Sequence, residues 1–172
     1  LDGNEQFSSM KEYTEFYNTL SKHKHLENFW KRTLWVEQPV TREKTLNKQL
    51  TSAVKRANKI KPIIIDESDD TDQALQKALA MGYYGTTINN CKGIFHAMQS
   101  FKSIQEKSSK KNLIVSCEDL TNVPVTPLHQ DLCLAAALGI SHAELNGHHY
   151  INGFTFLSES ERKAALKEYP SL

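Results

Sequence analysis

The stretch Leu34–Pro39, LWVEQP, sets the architecture that we expect for this chain. Residues 33–36 form a short apolar run of side chains that favour β-structure, and it ends abruptly at Glu37. Pro39 stops any continuation as a paired strand, because proline has no backbone N–H to donate to a neighbouring strand. Glu37 therefore stands at the end of a strand that we expect to be buried, where a carboxylate is costly unless something offsets its charge.

Acidic residues follow two other short apolar runs. Asp66 and Glu67 come directly after three isoleucines, and Asp2 follows the first residue of the chain. From Asp2 to Glu37 is 35 residues and from Glu37 to Asp66 is 29, so one acid closes each successive unit. Hard divalent cations take oxygen ligands. The spacing therefore predicts that these carboxylates converge on one such cation.

Length, composition and net charge limit the partners and the location that we expect for this protein. The 172 residues suffice for one domain, and 21 basic against 20 acidic residues leave a net charge of +1. This balance argues against a nucleic-acid or anionic-membrane partner, and no apolar run approaches the roughly 18 residues of a membrane span. Three cysteines without metal or disulfide spacing favour reduced thiols. We therefore expect a cytoplasmic protein without a nucleic-acid or membrane partner, and leave a homo-oligomeric state open.

Helices are predicted between the apolar runs. Thr41 is expected to begin one continuous helix that reaches Ala57, and Gly82 is expected to end a later one. Ser158 and Glu161 have the spacing of a capping box for the last helix. The acidic run DESDDTD lacks the glycine and closing glutamate of a calcium loop. We interpret its later aspartates, Asp69, Asp70 and Asp72, as favourable charges at a helix N-terminus.

Six strands thus alternate with helices. Strands that are apolar throughout indicate a parallel sheet covered on both faces, and polar residues at their C-terminal ends favour a (β/α)8 barrel. A doubly wound sheet competes, but the sequence has no glycine-rich phosphate loop. We predict an incomplete TIM-type barrel over residues 1–157 and a helical tail over 158–172, with strand ends near residues 2, 37, 66, 89, 117 and 144.

The strand-end motifs resemble those of a known family. Asp-x-Asn at 2–4, Glu-Gln-Pro at 37–39 and Asp-Glu-Ser at 66–68 are similar, in order, to motifs of the enolase superfamily, in its mandelate racemase and muconate lactonizing branch. The resemblance covers most of the chain, from that family's third barrel strand to its eighth. It implies that two earlier strands, their catalytic lysines and a capping domain precede residue 1 in a longer protein.

The resemblance also implies a chemistry. In that family three acids bind Mg²⁺, which holds a substrate carboxylate while a Lys or His removes the adjacent proton. The implied ligands here are Asp2, Glu37 and Asp66, with Glu67 as the alternative third ligand. Such a carbon acid is very weak, so the cation must stabilise the charge that forms and a positioned base must accept the proton.

The sequence indicates the catalytic base and the substrate contacts less clearly than it indicates the metal ligands. The sixth strand reads GTTINNCKG, where Asn89 holds the place of the expected Lys and Lys92 follows three residues later. Asparagine is no base at neutral pH, so Lys92 is the candidate that remains. Substrate contacts are expected from residues at the strand ends and their loops, namely Asn4, Gln38, Glu118, Asp119, Glu144, Asn146 and His148.

Three functions are compatible with this pattern. The first is an enolase-superfamily-like lyase or isomerase, of the dehydratase, racemase or cycloisomerase type. The second is a pseudoenzyme or metal- and carboxylate-binding protein that has lost the sixth-strand base. The third is a structural fragment without activity of its own. The acidic residues favour the first, whereas Asn89 favours the second, so enzymatic activity stays open at this point.

Overall fold

The structure is a computed structural model that describes residues 1–109, 111–118, 125–145 and 155–169. Of the predicted site residues, three fall outside these ranges, namely Asp119, Asn146 and His148. None of the helices within the described ranges is long and apolar enough to cross a membrane.

The chain divides into two compact units. Unit 1 comprises Leu1–Ile88 and Phe95–Val115, and unit 2 comprises Asn89–Ile94 and Ser116–Leu172.

Helices and short parallel strands alternate along the described chain, so the expected α/β class with parallel pairing is correct. In order, the elements are α1 (Met10–Lys22), α2 (Glu27–Arg32), β1 (Val36–Glu37), α3 (Arg42–Thr45), α4 (Thr51–Ala57), β2 (Ile63–Ile64), α5 (Ala74–Met81), β3 (Gly85–Ile88), α6 (Ile94–Lys107), β4 (Ile114–Glu118), α7 (Thr126–Ala137), β5 (Ala143–Glu144) and α8 (Glu159–Glu168). Short 3₁₀ turns lie at Lys24–Leu26, Lys48–Leu50 and Asn90–Lys92.

Local signals define several helix ends as the sequence predicts. Gly82 ends α5 with φ of +111°, a left-handed conformation that side chains with a Cβ disfavour. Ser158 and Glu161 form the expected capping box at the start of α8. The predicted helix from Thr41 to Ala57 is instead broken, because the Asn47 side chain accepts the Gln49 N–H and starts a new turn.

The parallel strands of unit 1 carry its core. Val36 and Glu37 pair in register with Ile63 and Ile64, and Ile65 is bridged to Thr86. Because side chains alternate along a strand, Ile63 and Ile65 share one face. That face packs against the helices in a core formed by Met10, Tyr13, Tyr17, Val36, Val40, Val54, Ala57, Ile63, Ile65, Ala78, Met81 and Tyr83.

Unit 2 is built on the end of β4. Cys117 and Glu118 pair in parallel with Ala143 and Glu144 of β5, and α7 contributes buried apolar side chains, among them Leu134. Here too the pairing extends over only two residues.

The predicted (β/α)8-type barrel is wrong. The strands in the described part of the chain form a two-stranded sheet, β1-β2, and a three-stranded sheet, β3-β4-β5, and no eight-stranded barrel is present there. Pairing stops early because the backbone turns. Gln38 has φ of +29°, and Pro39 follows it, so β1 ends at Glu37. The expected strand from 33 to 37 is reduced at its other end to Val36–Glu37, because the Thr33 N–H still bonds to the last turn of α2.

The first predicted strand fails for a similar reason. Asp2 makes only an isolated bridge with Glu37, and Asn4 and Glu5 then take φ of +44° and +60°. The Asn4 side chain and backbone N–H both bind the Asp2 carboxylate, at 2.7 and 2.8 Å. Such local side-chain bonds compete with the hydrogen bonds of a ladder.

Candidate metal centre

Two buried carboxylates of unit 1 lie close together. Glu37 is 5% exposed and Asp66 is 6% exposed. A carboxylate oxygen of one lies within 4.8 Å of a carboxylate oxygen of the other. Two negative charges at such a distance repel each other. A hard cation offsets that repulsion, so these residues, called the acid pair below, could hold a divalent metal ion.

The strand register explains how the acid pair forms. Glu37 pairs with Ile64, so both side chains leave the sheet on the same face. Asp66 follows two residues after Ile64 and belongs to that face as well. The apolar core occupies the other face, with Ile63 and Ile65. The strand register and the alternation of side chains together therefore place both carboxylates on one face of the sheet.

The Gln38 side chain connects the ends of β1 and β2, which carry the acid pair. Its side chain is fully buried, and its Oε1 accepts the backbone N–H of Asp66 at 2.9 Å and that of Ser68 at 3.3 Å. Its Nε2 lies 2.7–2.8 Å from the Val40 carbonyl and the hydroxyls of Thr45 and Ser68. These bonds engage both ends of the amide. The sequence predicts Gln38 as a substrate contact, whereas the structure places it as a brace between the ends of β1 and β2.

Asp2 is placed differently from the acid pair. It is exposed, and both its carboxylate oxygens accept hydrogen bonds from Asn4. Across the described ranges, no carboxylate cluster within 4.8 Å joins Asp2 to both Glu37 and Asp66. Asn4 is therefore occupied with orienting Asp2. Coordination by Asp2 stays a prediction.

Glu67, the alternative third ligand, lies in a partly buried position beside the acid pair. Burial raises the pKa of its carboxyl to about 7, and the negative charges of Asp66, Glu5 and Asp2 add to the effect. Its Oε2 is buried and makes no hydrogen bond within the described protein. A neighbouring Arg42 is engaged elsewhere, in an ion pair of 2.8 Å with Glu5. Glu67 is thus a carboxyl group that holds a proton up to neutral pH.

In unit 2, Asn89 is a buried structural residue. Its Nδ2 donates to Glu118 Oε1 at 3.0 Å, and its Oδ1 accepts the Lys92 N–H at 3.2 Å, which caps the 3₁₀ turn. The Cys91 thiol lies 2.9 Å from the same oxygen. Asn89 therefore orients Glu118 and begins a turn. Lys92, in that turn, is half-buried. Its exposure neither favours nor excludes a role as catalytic base, which stays a prediction.

The two remaining predicted substrate contacts within the described ranges, Glu118 and Glu144, differ in how exposed their side chains are. Glu118 is 7% exposed at the end of β4, whereas its partner in register, Glu144, is exposed. Sequence reasoning missed Asp131, which is buried in α7 and accepts the Asn90 N–H at 3.2 Å. It also missed the environment of Asp69, a fully buried carboxylate in the acidic run. No spacing rule could have found either, because their partners lie on other elements.

Comparison with protein-family models, with curated proteins and with solved structures found no match to this chain. The resemblance to the enolase superfamily therefore rests on its three short motifs and stays a prediction.

Proposed function

We propose that this protein binds a divalent cation at Glu37 and Asp66, and through that cation the carboxylate of a small molecule. The observation that carries the proposal is the proximity of two buried carboxylates, within 4.8 Å, at the ends of neighbouring parallel strands. The Gln38 brace supports it, because a fully hydrogen-bonded amide keeps the loop after β2 in one conformation.

The donor atoms favour Mg²⁺ or Mn²⁺. The acid pair offers oxygen ligands and no imidazole or thiolate, which suits hard cations. Mg²⁺ in proteins is commonly held by one or two carboxylates, while waters and an oxygen-bearing ligand complete its shell. A small carboxylate meets that requirement. Glu67 would add a third carboxylate if a bound cation displaced its proton.

A second candidate function is Mg²⁺-assisted removal of a proton adjacent to a carboxylate, as in a lyase or isomerase. Glu67 is the specific observation in its favour, since a carboxyl with a pKa of about 7 suits proton transfer at neutral pH. Asn89 argues against the base that the resemblance expects, because its amide is engaged with Glu118 and the Lys92 N–H. We therefore place cation and carboxylate binding first.

Calorimetric titration with Mg²⁺ and Mn²⁺ tests the binding proposal. We expect Glu37→Gln and Asp66→Asn each to weaken cation binding at least tenfold, whereas Glu43→Gln, at an exposed carboxylate of α3, leaves it unchanged. Sugar acids and hydroxy acids should bind only when the cation is present. Equal cation affinity in all four proteins would contradict the proposal.

Deuterium incorporation from D₂O separates the two functions. With Mg²⁺ and a panel of bound carboxylates, we expect no exchange of the adjacent C–H. Exchange that is lost in Glu67→Gln would establish the second function with Glu67 as the base. Exchange that is lost in Lys92→Ala would establish it with the base that the sequence predicts.

A further inference from the structure

A second cluster of side chains that can ligate metals lies in unit 1. It differs from the acid pair because it contains an imidazole as well as carboxylates. Asp69 is fully buried, and its Oδ2 accepts hydrogen bonds from the hydroxyls of Thr86 at 2.8 Å and Ser100 at 3.4 Å. Its Oδ1 lies 3.3 Å from Nε2 of His96. Neither of these two atoms makes an aligned hydrogen bond within the described protein. The buried carboxylate and the imidazole are thus within ion-pair distance of each other, and a small rotation of the ring would align an N–H···O hydrogen bond.

His96 reaches the surface on its other side. Its side chain is 15% exposed, and its Nδ1 lies 4.0 Å from Oδ1 of Asp72, whose side chain is 86% exposed. The imidazole therefore stands between a fixed, buried carboxylate and a solvent-exposed one. Asp69 is held by hydroxyls from two other elements, β3 and α6, so its position does not depend on the loop that carries it.

An imidazole that lies between two carboxylates is suited to metal binding. A histidine that ligates a metal commonly donates its other ring N–H to a carboxylate, which fixes the tautomer and makes the ligating nitrogen a better donor. With the proton on Nε2, facing Asp69, the lone pair of Nδ1 is on the side of Asp72. Imidazole nitrogen together with a carboxylate oxygen suits Zn²⁺, Cu²⁺ and Ni²⁺ more than Mg²⁺.

We infer that His96 Nδ1 and Asp72 form a surface site for a borderline divalent cation such as Zn²⁺, with Asp69 as the residue that positions the imidazole. Two ligands on a tetrahedral Zn²⁺ lie about 3.3 Å apart, since each bond is about 2.0–2.2 Å. The 4.0 Å between Nδ1 and Asp72 closes by rotation of an exposed side chain. Water completes the shell. The inference does not depend on the proposed function.

The test follows the histidine rings of the full chain by nitrogen-15 NMR during a Zn²⁺ titration in saturating Mg²⁺. We expect His96 to carry its proton on Nε2, and its Nδ1 resonance to shift as Zn²⁺ binds. Asp72→Asn should weaken Zn²⁺ binding at least tenfold, and Asp69→Asn by about 10–100-fold. Asp70→Asn is the matched control, because Asp70 is an exposed carboxylate of the same loop and should leave the affinity unchanged.

A competing histidine pair needs its own control. The rings of His23 and His25 lie 5.7 Å apart and could bind Zn²⁺ together. The double variant His23→Ala/His25→Ala should keep the shift at His96. The inference is overturned if Zn²⁺ shifts only His23 and His25, if His96 carries its proton on Nδ1, or if Asp72→Asn binds as tightly as Asp70→Asn. Because Asp72 is exposed, its variant decides the question even if Asp69→Asn fails to fold.

Discussion

Gln38 and Asp66 are joined by a hydrogen bond in which Gln38 Oε1 accepts the Asp66 N–H at 2.9 Å. Gln38 directly follows β1, and Asp66 lies two residues beyond β2. One buried side chain thus fixes the relative position of the two strand ends that carry the acid pair. The geometry of the candidate metal centre depends on this amide as much as on the carboxylates.

Gln38→Leu tests the brace. The substitution removes the Gln38 oxygen that accepts the buried backbone N–H groups of Asp66 and Ser68, and each lost hydrogen bond costs about 1–3 kcal/mol. We expect the free energy of unfolding in urea to fall by about 2–4 kcal/mol on that basis, together with weaker Mn²⁺ binding. Gln49→Leu, at an exposed glutamine, is the control. Unchanged stability in Gln38→Leu would show that the brace is dispensable.

The raised pKa of Glu67 predicts that the folding stability of the metal-free protein falls as the pH rises towards neutral. Its pKa in the folded state is about 7, above the ordinary value of 4.5, so the folded protein binds this proton more tightly than the unfolded chain. The stabilising contribution is complete below about pH 4.5 and is lost as the pH rises to about 7. We expect Glu67→Gln to abolish that part of the decline, as measured by urea unfolding across this range.

The control for Glu67 is Glu43→Gln, which should keep the pH dependence of the wild type because Glu43 is exposed. A stability of Glu67→Gln that declines with pH as steeply as that of the wild type would mean that other groups cause the effect.

Asn89→Asp separates the two roles of Asn89. Aspartate retains an oxygen that caps the turn at the Lys92 N–H, but it loses the donor to Glu118 and puts a second carboxylate 3.0 Å from it. We expect a loss of about 1–3 kcal/mol in unfolding free energy, since the buried hydrogen bond from Asn89 to Glu118 is removed. Asn112→Asp, at an exposed position, should have little effect. A neutral result at Asn89 would show that its amide does not hold Glu118 in solution.

Gly85→Ala tests the close approach of β3 to the first residue of β4. A Cβ at residue 85, where φ is +154°, would collide with the carbonyl oxygen of Ile114. We expect a loss beyond about 4 kcal/mol, the range of exceptional substitutions, seen as a large drop in melting temperature. Gly139→Ala, with φ of +67° and no atom within 4 Å of the added Cβ, should cost only about 1–2 kcal/mol.

Features encoded within a few residues could be predicted from the sequence. The stop at Gly82 and the capping box of Ser158 and Glu161 depend on adjacent backbone groups, and both are found as predicted. The positions of Glu37 and Asp66 at the ends of parallel strands follow from the apolar runs before them. These runs also predict the parallel pairing, because helices cover strands that are apolar throughout.

Features set by tertiary contacts could not be predicted. The number of apolar runs favours a barrel, but strand length is decided by turns such as those at Asn4 and Gln38, which have positive φ without being glycine. The sequence presents Asp69 as a helix-terminal charge, yet it is buried between Thr86, Ser100 and His96. Nothing in a linear pattern brings together residues that lie 17 to 31 positions apart.

The central claim, that Glu37 and Asp66 bind one cation together, is tested most directly by a double-mutant cycle of Mn²⁺ affinity. If both carboxylates ligate the same ion, Glu37→Gln and Asp66→Asn each weaken binding at least tenfold. The double variant then binds little more weakly than either single variant, because ligands of one site are not additive. Independent losses that add in the double variant, or wild-type affinity in either single variant, would contradict a shared site.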